Sequence, residues 1–400
     1  MAGRFSSIQW DQIEAELAAN TARYGMPDGP REESMLFASF NIRKLGSIRN
    51  RQRELAFMAR FCARCDLVAI QEVQDNLDGL LRLKTLVDER VSSTGEFELL
   101  VSDITGEVPG ESGMAERLAF MYRKSRVKRM DVTSDIAIDR TGVIENFNQN
   151  ENEITQAWDA YQKKKQEFQA GSRKTKPTFT LPAFLTFTRT PYVAAFEVPA
   201  AGNTKPLQFL AVNAHLLYGK PIERKAEFKA LMRWMTMRLR REKRMVAPNF
   251  VLLGDLNLDF DKPIKDREKV EAYIKGLNRE VFGNDDASRI YFPFIDKHPL
   301  TNREIRTNAR QNQTFDQIAF LRGAKEKKLP SHLSRDSIDR SQPDGFDFGV
   351  FNFAELFARV IKGKAYHSLT KTERQELGKH FEHSVSDHMP IWVRVPRPGF

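Results

Sequence analysis

One pattern constrains this 400-residue chain more than any other. Short apolar runs, each the right length for a buried strand, end repeatedly on a polar side chain. "LFASFN" ends on Asn41, "LVAIQE" on Glu72 and "FLAVNAH" on His215. "VLLGDLN" carries Asp255 and Asn257, and Asp387–His388 stand just before "MPIWV". Residues two apart on a strand point to the same side, so Asp255 and Asn257 share a face. Strand ends collected at one edge of a layered sandwich would bring all these groups into a single polar site. Asp259 alternates in phase with them and reads as a structural or supporting residue.

The rest of the chain supports that layering. "MLFASFNI", "DLVAIQEV", "FELLVSDI", "ERLAFMYR", "AFLTFTR", "YVAAFEV", "LQFLAVNAHL", "FVLLGDLNL", "FDQIAFL" and "MPIWVRV" read as strands. Helical periodicity marks "IRNRQRELAFMARFC", 152–169, 220–244, 265–280, "FNFAELFARVIKG" and "TKTERQELGKHFEH". Many consecutive strands lack an intervening helix, which argues for antiparallel pairing in an α/β sandwich and against a doubly wound parallel sheet. Residues 1–34 read as an N-terminal helical arm. Residues 35–397 read as one domain, interrupted by insertions at about 137–181 and 322–384.

Composition narrows the setting. No stretch approaches the roughly 18 apolar residues that cross a bilayer, and the opening "MAGRFSSIQWDQIEAEL" has no apolar core of a signal peptide. A cytoplasmic protein without stable membrane association is expected. The two cysteines, Cys62 and Cys65, form a C-x-x-C, but no second pair follows and their segment is helical in period. They are expected to be ordinary helix residues, and so few cysteines suit a reducing compartment. The formal charge of +10 is concentrated: residues 220–244 hold ten Lys or Arg against three Glu, and 163–176 hold six against one. That imbalance points to a polyanionic partner such as nucleic acid.

The polar set has its own chemistry. Carboxylates with an Asn carbonyl and no thiol suit a hard cation, Mg²⁺ before Zn²⁺ and with Mn²⁺ as its substitute. Two distant histidines supply a general acid and a general base near neutral pH. Together these groups describe metal-assisted hydrolysis of a phosphate ester.

In order along the chain, "SFNIRKLG", "DLVAIQEVQD", "ERLAFMYR", "RTPYVAAFEV", "LAVNAHL", "LLGDLNLD", "TFDQIAF" and "SDHMPIWV" resemble the motifs of the endonuclease/exonuclease/phosphatase superfamily, nearest in wording to deoxyribonuclease I. The resemblance covers about 35–135, 183–260, 312–320 and 384–397. It implies a four-layer αββα sandwich of two mixed, largely antiparallel sheets flanked by helices. It implies Glu72 as principal Mg²⁺ ligand with Asn41 and Asp387, and His215 and His388 as the acid–base pair. Glu116 and Asp316 would orient those imidazoles. Asp255 and Asn257 would bind the scissile phosphate, orient the water or hold a second ion, and Arg43 and Arg189 would contact phosphate oxygens.

The activity implied is a Mg²⁺-dependent endonuclease acting on DNA. The same chemistry on RNA, a nucleotide, or a phospholipid or inositol phosphoester is the alternative, and a non-catalytic nucleic-acid-binding or scaffold module is the alternative of another class. Gln74 and Met114 stand where deoxyribonuclease I carries its minor-groove Arg and Tyr, so a different grip on substrate is expected. His380 and His383, three apart on a helix beside "SVSDH", are expected at a solvated helix end.

Overall fold

In the first strand of this chain both faces are apolar, and the two faces belong to different cores. On the first strand Met35 and Phe37 enter one cluster while Leu36, Ala38, Phe40 and Ile42 enter another. Such a strand must lie in a sheet covered on both sides. The computed structural model describes residues 4–48, 51–106, 115–218, 221–258, 263–283, 289–338, 340, 342 and 344–400. In chain order the elements begin with α1 (Ser7–Ala19), β1 (Ser34–Leu45), α2 (Gln52–Cys62), β2 (Leu67–Val73), α3 (Asp78–Arg90), β3 (Phe97–Val101) and β4 (Arg117–Arg123). Next come β5 (Lys128–Asp135), α4 (Arg140–Gln149), α5 (Glu151–Gln169), β6 (Tyr192–Val198), β7 (Leu207–His215), α6 (Pro221–Leu239) and β8 (Phe250–Asp255). The chain closes with α7 (Pro263–Phe282), β9 (Ile290–Tyr291), β10 (Asp316–Leu321), β11 (Asp347–Val350), α8 (Phe353–Lys362), α9 (Lys371–Ser384) and β12 (Ile391–Pro396).

Two six-stranded sheets result, in the orders β11-β12-β1-β2-β4-β3 and β5-β6-β7-β8-β10-β9. Only β1–β2 and β7–β8 pair in parallel; the other named pairs are antiparallel. Three apolar clusters separate four layers. One joins the inner faces of both sheets, through Phe37, Phe120, Phe209, Leu253, Phe320 and Val393 among others. A second packs the first sheet against α1, α2, α3, α8 and α9, and a third packs the second sheet against α6 and α7. The architecture is the mixed α/β sandwich expected from the motifs.

Segments outside the motif words take part in that packing. Phe5, Trp10, Ile13 and Leu17 of the N-terminal segment are buried in the first sheet's helical layer, where Trp10 meets Phe57 and Phe357. The 322–384 segment supplies β11 at a sheet edge and the buried face of α8. Cys62 and Cys65 are buried in the same layer as free thiols. His380 stacks on Phe5, and the His383 side chain lies outside the described residues.

One expected strand does not form. "AFLTFTR" is a bent segment, because the edge beside β6 is taken by β5. The segment is held instead by side chains: Asn146 donates to the Leu185 carbonyl and the Thr188 N–H donates to Glu227. β5 escaped the sequence reading because "KRMDVTSD" is polar and mostly exposed, as an edge strand often is.

Candidate active site

The sheet registers place the polar strand ends side by side. His215 at the end of β7 is opposite Asp255 at the end of β8, and Asp255 is opposite Asp316 at the start of β10. Because parallel partners contribute their ends and antiparallel partners their starts, one rim receives both. Glu116 immediately precedes β4, and His388 precedes β12. Gly254 makes the β7–β8 approach feasible: its φ is +151°, and a Cβ there would sit 1.9 Å from the Ala214 carbonyl oxygen. No side chain fits.

Two imidazoles meet on one carboxylate. The His215 Nδ1 lies 2.6 Å from Glu116 Oε1, and its Nε2 faces Asp255 Oδ2 at 3.4 Å. The His388 Nδ1 lies 3.0 Å from Asp316 Oδ2, and its Nε2 faces the same Asp255 oxygen at 3.5 Å. Carboxylates at both Nδ1 atoms require N–H there, which fixes each ring's orientation. All five groups are buried. Burial pushes the His388 imidazole down, but Asp316 and Asp255 outweigh it and lift it well above its ordinary value. His215 is also raised: burial opposes, the Glu116 charge favours and Arg189 opposes. Burial would push the Asp255 carboxyl up, yet His388, His215, the Asn257 N–H and the Asn41 amide hold it below the usual range.

The metal-type residues cluster on the adjoining strand ends. Asn41 donates its Nδ2 to Asp255 Oδ2 at 3.0 Å. That bond fixes the amide's orientation and leaves Asn41 Oδ1 buried with no hydrogen-bond partner. Asp387 Oδ1 is likewise buried and unpartnered, while its other oxygen lies 3.7 Å from Arg43. Glu72 has φ +59°, a left-handed conformation unfavourable for Glu. It sits where β2 slips register against both neighbours, β1 and β4, and its Oε2 accepts the Lys44 N–H. Asn257 is similarly left-handed, at φ +47°, with its N–H on Asp255 Oδ1 and its Nδ2 on the Leu216 carbonyl.

Buried oxygens without donors, on an all-oxygen set, fit a hard cation. Asp255, Asp316 and His388 also offer donor atoms within 4.8 Å of one another. At that place each His388 nitrogen already faces a carboxylate oxygen, Asp316 Oδ2 at 3.0 Å and Asp255 Oδ2 at 3.5 Å.

Some contributors were not legible. Ser386 donates to the Asn41 carbonyl and accepts the His388 N–H, tying β1 to the last motif. The Thr307 hydroxyl accepts the Asp316 N–H. Beneath the rim, Gln71 donates to Asn213, which donates to the Ile70 and Ala119 carbonyls, locking the two sheets together. Arg189 is buried; it donates to the His215 and Leu216 carbonyls and lies 3.4 Å from Glu116, so it props the His215–Glu116 pair. Gln74 closes a backbone bond to Leu45. Asp259 and Met114 lie outside the described residues.

No family model and no curated protein matches the chain. Among solved structures it is similar to an endonuclease/exonuclease/phosphatase family protein from Bacteroides thetaiotaomicron, with a TM-score of 0.45 and 13% identity over 91% of this chain and 98% of that one. It is similar to the human Nocturnin catalytic domain with bound sulfate, with a TM-score of 0.44 and 11% identity over 92% and 94% of the two chains. A D. rerio TDP2 complexed with single strand DNA product gives a TM-score of 0.41 and 12% identity over 90% and 98%.

Proposed function

We propose that this chain is a Mg²⁺-dependent phosphodiesterase that hydrolyses DNA as an endonuclease. The observation that carries the reading is the convergence of two carboxylate-oriented imidazoles on Asp255 Oδ2, at 3.4 and 3.5 Å. Glu72, Asn41 and Asp387 would hold the ion, which supplies charge neutralisation at the phosphate when bound. His388, oriented by Asp316, delivers a proton to the departing oxygen as the P–O bond breaks. His215, oriented by Glu116, accepts the proton of the attacking water as its oxygen bonds to phosphorus. Asp255 holds the two Nε2 atoms in one place, and Asn257 keeps Asp255 oriented through its backbone N–H. The concentration of positive charge favours a nucleic acid over a small uncharged ester.

Conversion of supercoiled plasmid to nicked circles with Mg²⁺, and its loss with EDTA or on His388→Ala, tests the reading. Full nicking by the variant refutes the assignment. A parallel panel of single-stranded DNA, RNA and phosphoinositides assigns the substrate.

A further inference from the structure

α6 carries an arginine-rich face at the border of the core it packs on. Phe228, Leu231, Met232, Met235 and Leu239 enter the core. Arg233, Trp234, Met237 and Arg238 of α6, with Arg241 just past its end, line a groove of about 660 Å³ against Ile138, Asn146 and Phe184; Trp234, Ile138 and Phe184 also pack partly on that core. Arg244 and Met245 close one end. The groove has an apolar floor and four guanidinium groups, and no carboxylate lines it. Among the described residues, no ion pair engages Arg233, Arg238, Arg241 or Arg244; Arg238 instead lies over the Trp234 ring at 4.2 Å. An adjoining cavity shares Arg241 and Arg244 and adds Arg240 and Arg289, the latter paired with Glu242.

Guanidinium groups with no ion pair among the described residues, beside aromatic and apolar side chains, fit a ligand that is anionic on one side and flat and apolar on the other. We infer that this groove is an exosite for single-stranded nucleic acid, with phosphates on the arginines and a base against Trp234, Met237 and Phe184. The groove has the volume of a small-molecule pocket, which admits a splayed base and excludes a duplex, whose bases are stacked away. An anionic membrane is the poorer fit, because the apolar groups line a concavity and do not stand proud of the surface. α6 begins just past the catalytic rim, and Arg233 lies about 18 Å of helix rise beyond Pro221. The inference shares the nucleic-acid class with the proposed function, but binding in the groove does not depend on hydrolysis.

Fluorescence anisotropy of a labelled single-stranded oligonucleotide in EDTA tests it directly. Arg238→Gln with Arg241→Gln is expected to weaken binding about tenfold or more and to flatten the log–log salt dependence by about two. Met237→Glu changes an exposed residue and puts a carboxylate in the groove without disturbing the core; it is expected to weaken binding as well. Lys163→Gln with Lys164→Gln, on α5, should leave affinity within about twofold. Thermal melting verifies folding, and turnover of bis(p-nitrophenyl) phosphate is expected to be unchanged in all three variants. Unaltered oligonucleotide binding by both groove variants overturns the inference. So does an arginine-dependent affinity for phosphatidylserine vesicles without one for the oligonucleotide. If bis(p-nitrophenyl) phosphate turnover is absent in the unaltered protein while the groove still binds, the hydrolytic reading fails and the exosite stands.

Discussion

Two imidazole environments in this molecule, one buried and one half-buried, behave in opposite ways. At the rim, His215 and His388 are shut away from water yet are raised above their ordinary value. Away from it, His298 is stacked on Phe348 with centroids 4.8 Å apart, its Nδ1 accepting the Leu300 N–H and its Nε2 facing the Phe348 carbonyl. Burial pushes His298 below the ordinary value, and the carbonyl bond only partly opposes this. Burial therefore does not make an imidazolium; the carboxylates do. The rim chemistry belongs to Glu116, Asp255 and Asp316 as much as to the two rings.

The largest effect expected from breaking this contrast is at Asp255, the group both rings share. Asp255→Ala should lower single-turnover plasmid nicking by about 10³-fold or more; near-normal nicking would show that the shared carboxylate is incidental. Next come the two orienting carboxylates, each expected to reduce turnover about 10²-fold and to move a different limb of the pH profile. A carboxylate raises an imidazole's pKa, so its loss lowers that value. Asp316→Asn should thus carry the alkaline limb, set by the proton donor, to lower pH. Glu116→Gln should carry the acid limb, set by the proton acceptor, to lower pH. Movement of the opposite limbs would exchange the roles of His215 and His388.

Glu72→Gln should leave the imidazole pairs in place but raise the Mg²⁺ needed for half-maximal nicking by at least about tenfold. An unchanged Mg²⁺ titration would move the ion elsewhere. The smallest effect is at His298. Its folded value lies below the unfolded one, so its contribution to stability is present above the ordinary His range and is lost as pH falls through the folded value. Urea midpoints of the unaltered protein should therefore fall on acidification below about pH 6.5, and His298→Gln should remove a small part of that decline. An identical decline in the variant would assign it to other groups.

Much of this was legible because it is local. The short apolar runs in "MLFASFNI" and "VLLGDLNL" have the length of a buried strand, and a polar residue at the end of each is visible without knowing its neighbours. Cys62 closes α2 as the periodicity predicts, whereas Cys65 lies three residues past the helix end, in the buried turn into β2. What failed was context. "AFLTFTR" has strand composition, but β5 holds the only edge beside β6. Arg189 read as a phosphate contact, and nothing in "RTPYV" shows that its guanidinium would reach the carbonyls of His215 and Leu216.

The amino-acid order alone settled the layers, the strand ends and the kinds of side chain found there, since periodicity and residue type act over a few neighbours. Only the tertiary structure decided which carboxylate orients which ring, that Asp255 serves both, and that α6 keeps an arginine-rich face at the border of its core. Those outcomes depend on contacts between residues as far apart as Asn41 and Asp255, 214 positions distant. Such contacts follow from strand register and layer packing, which no short stretch of sequence contains.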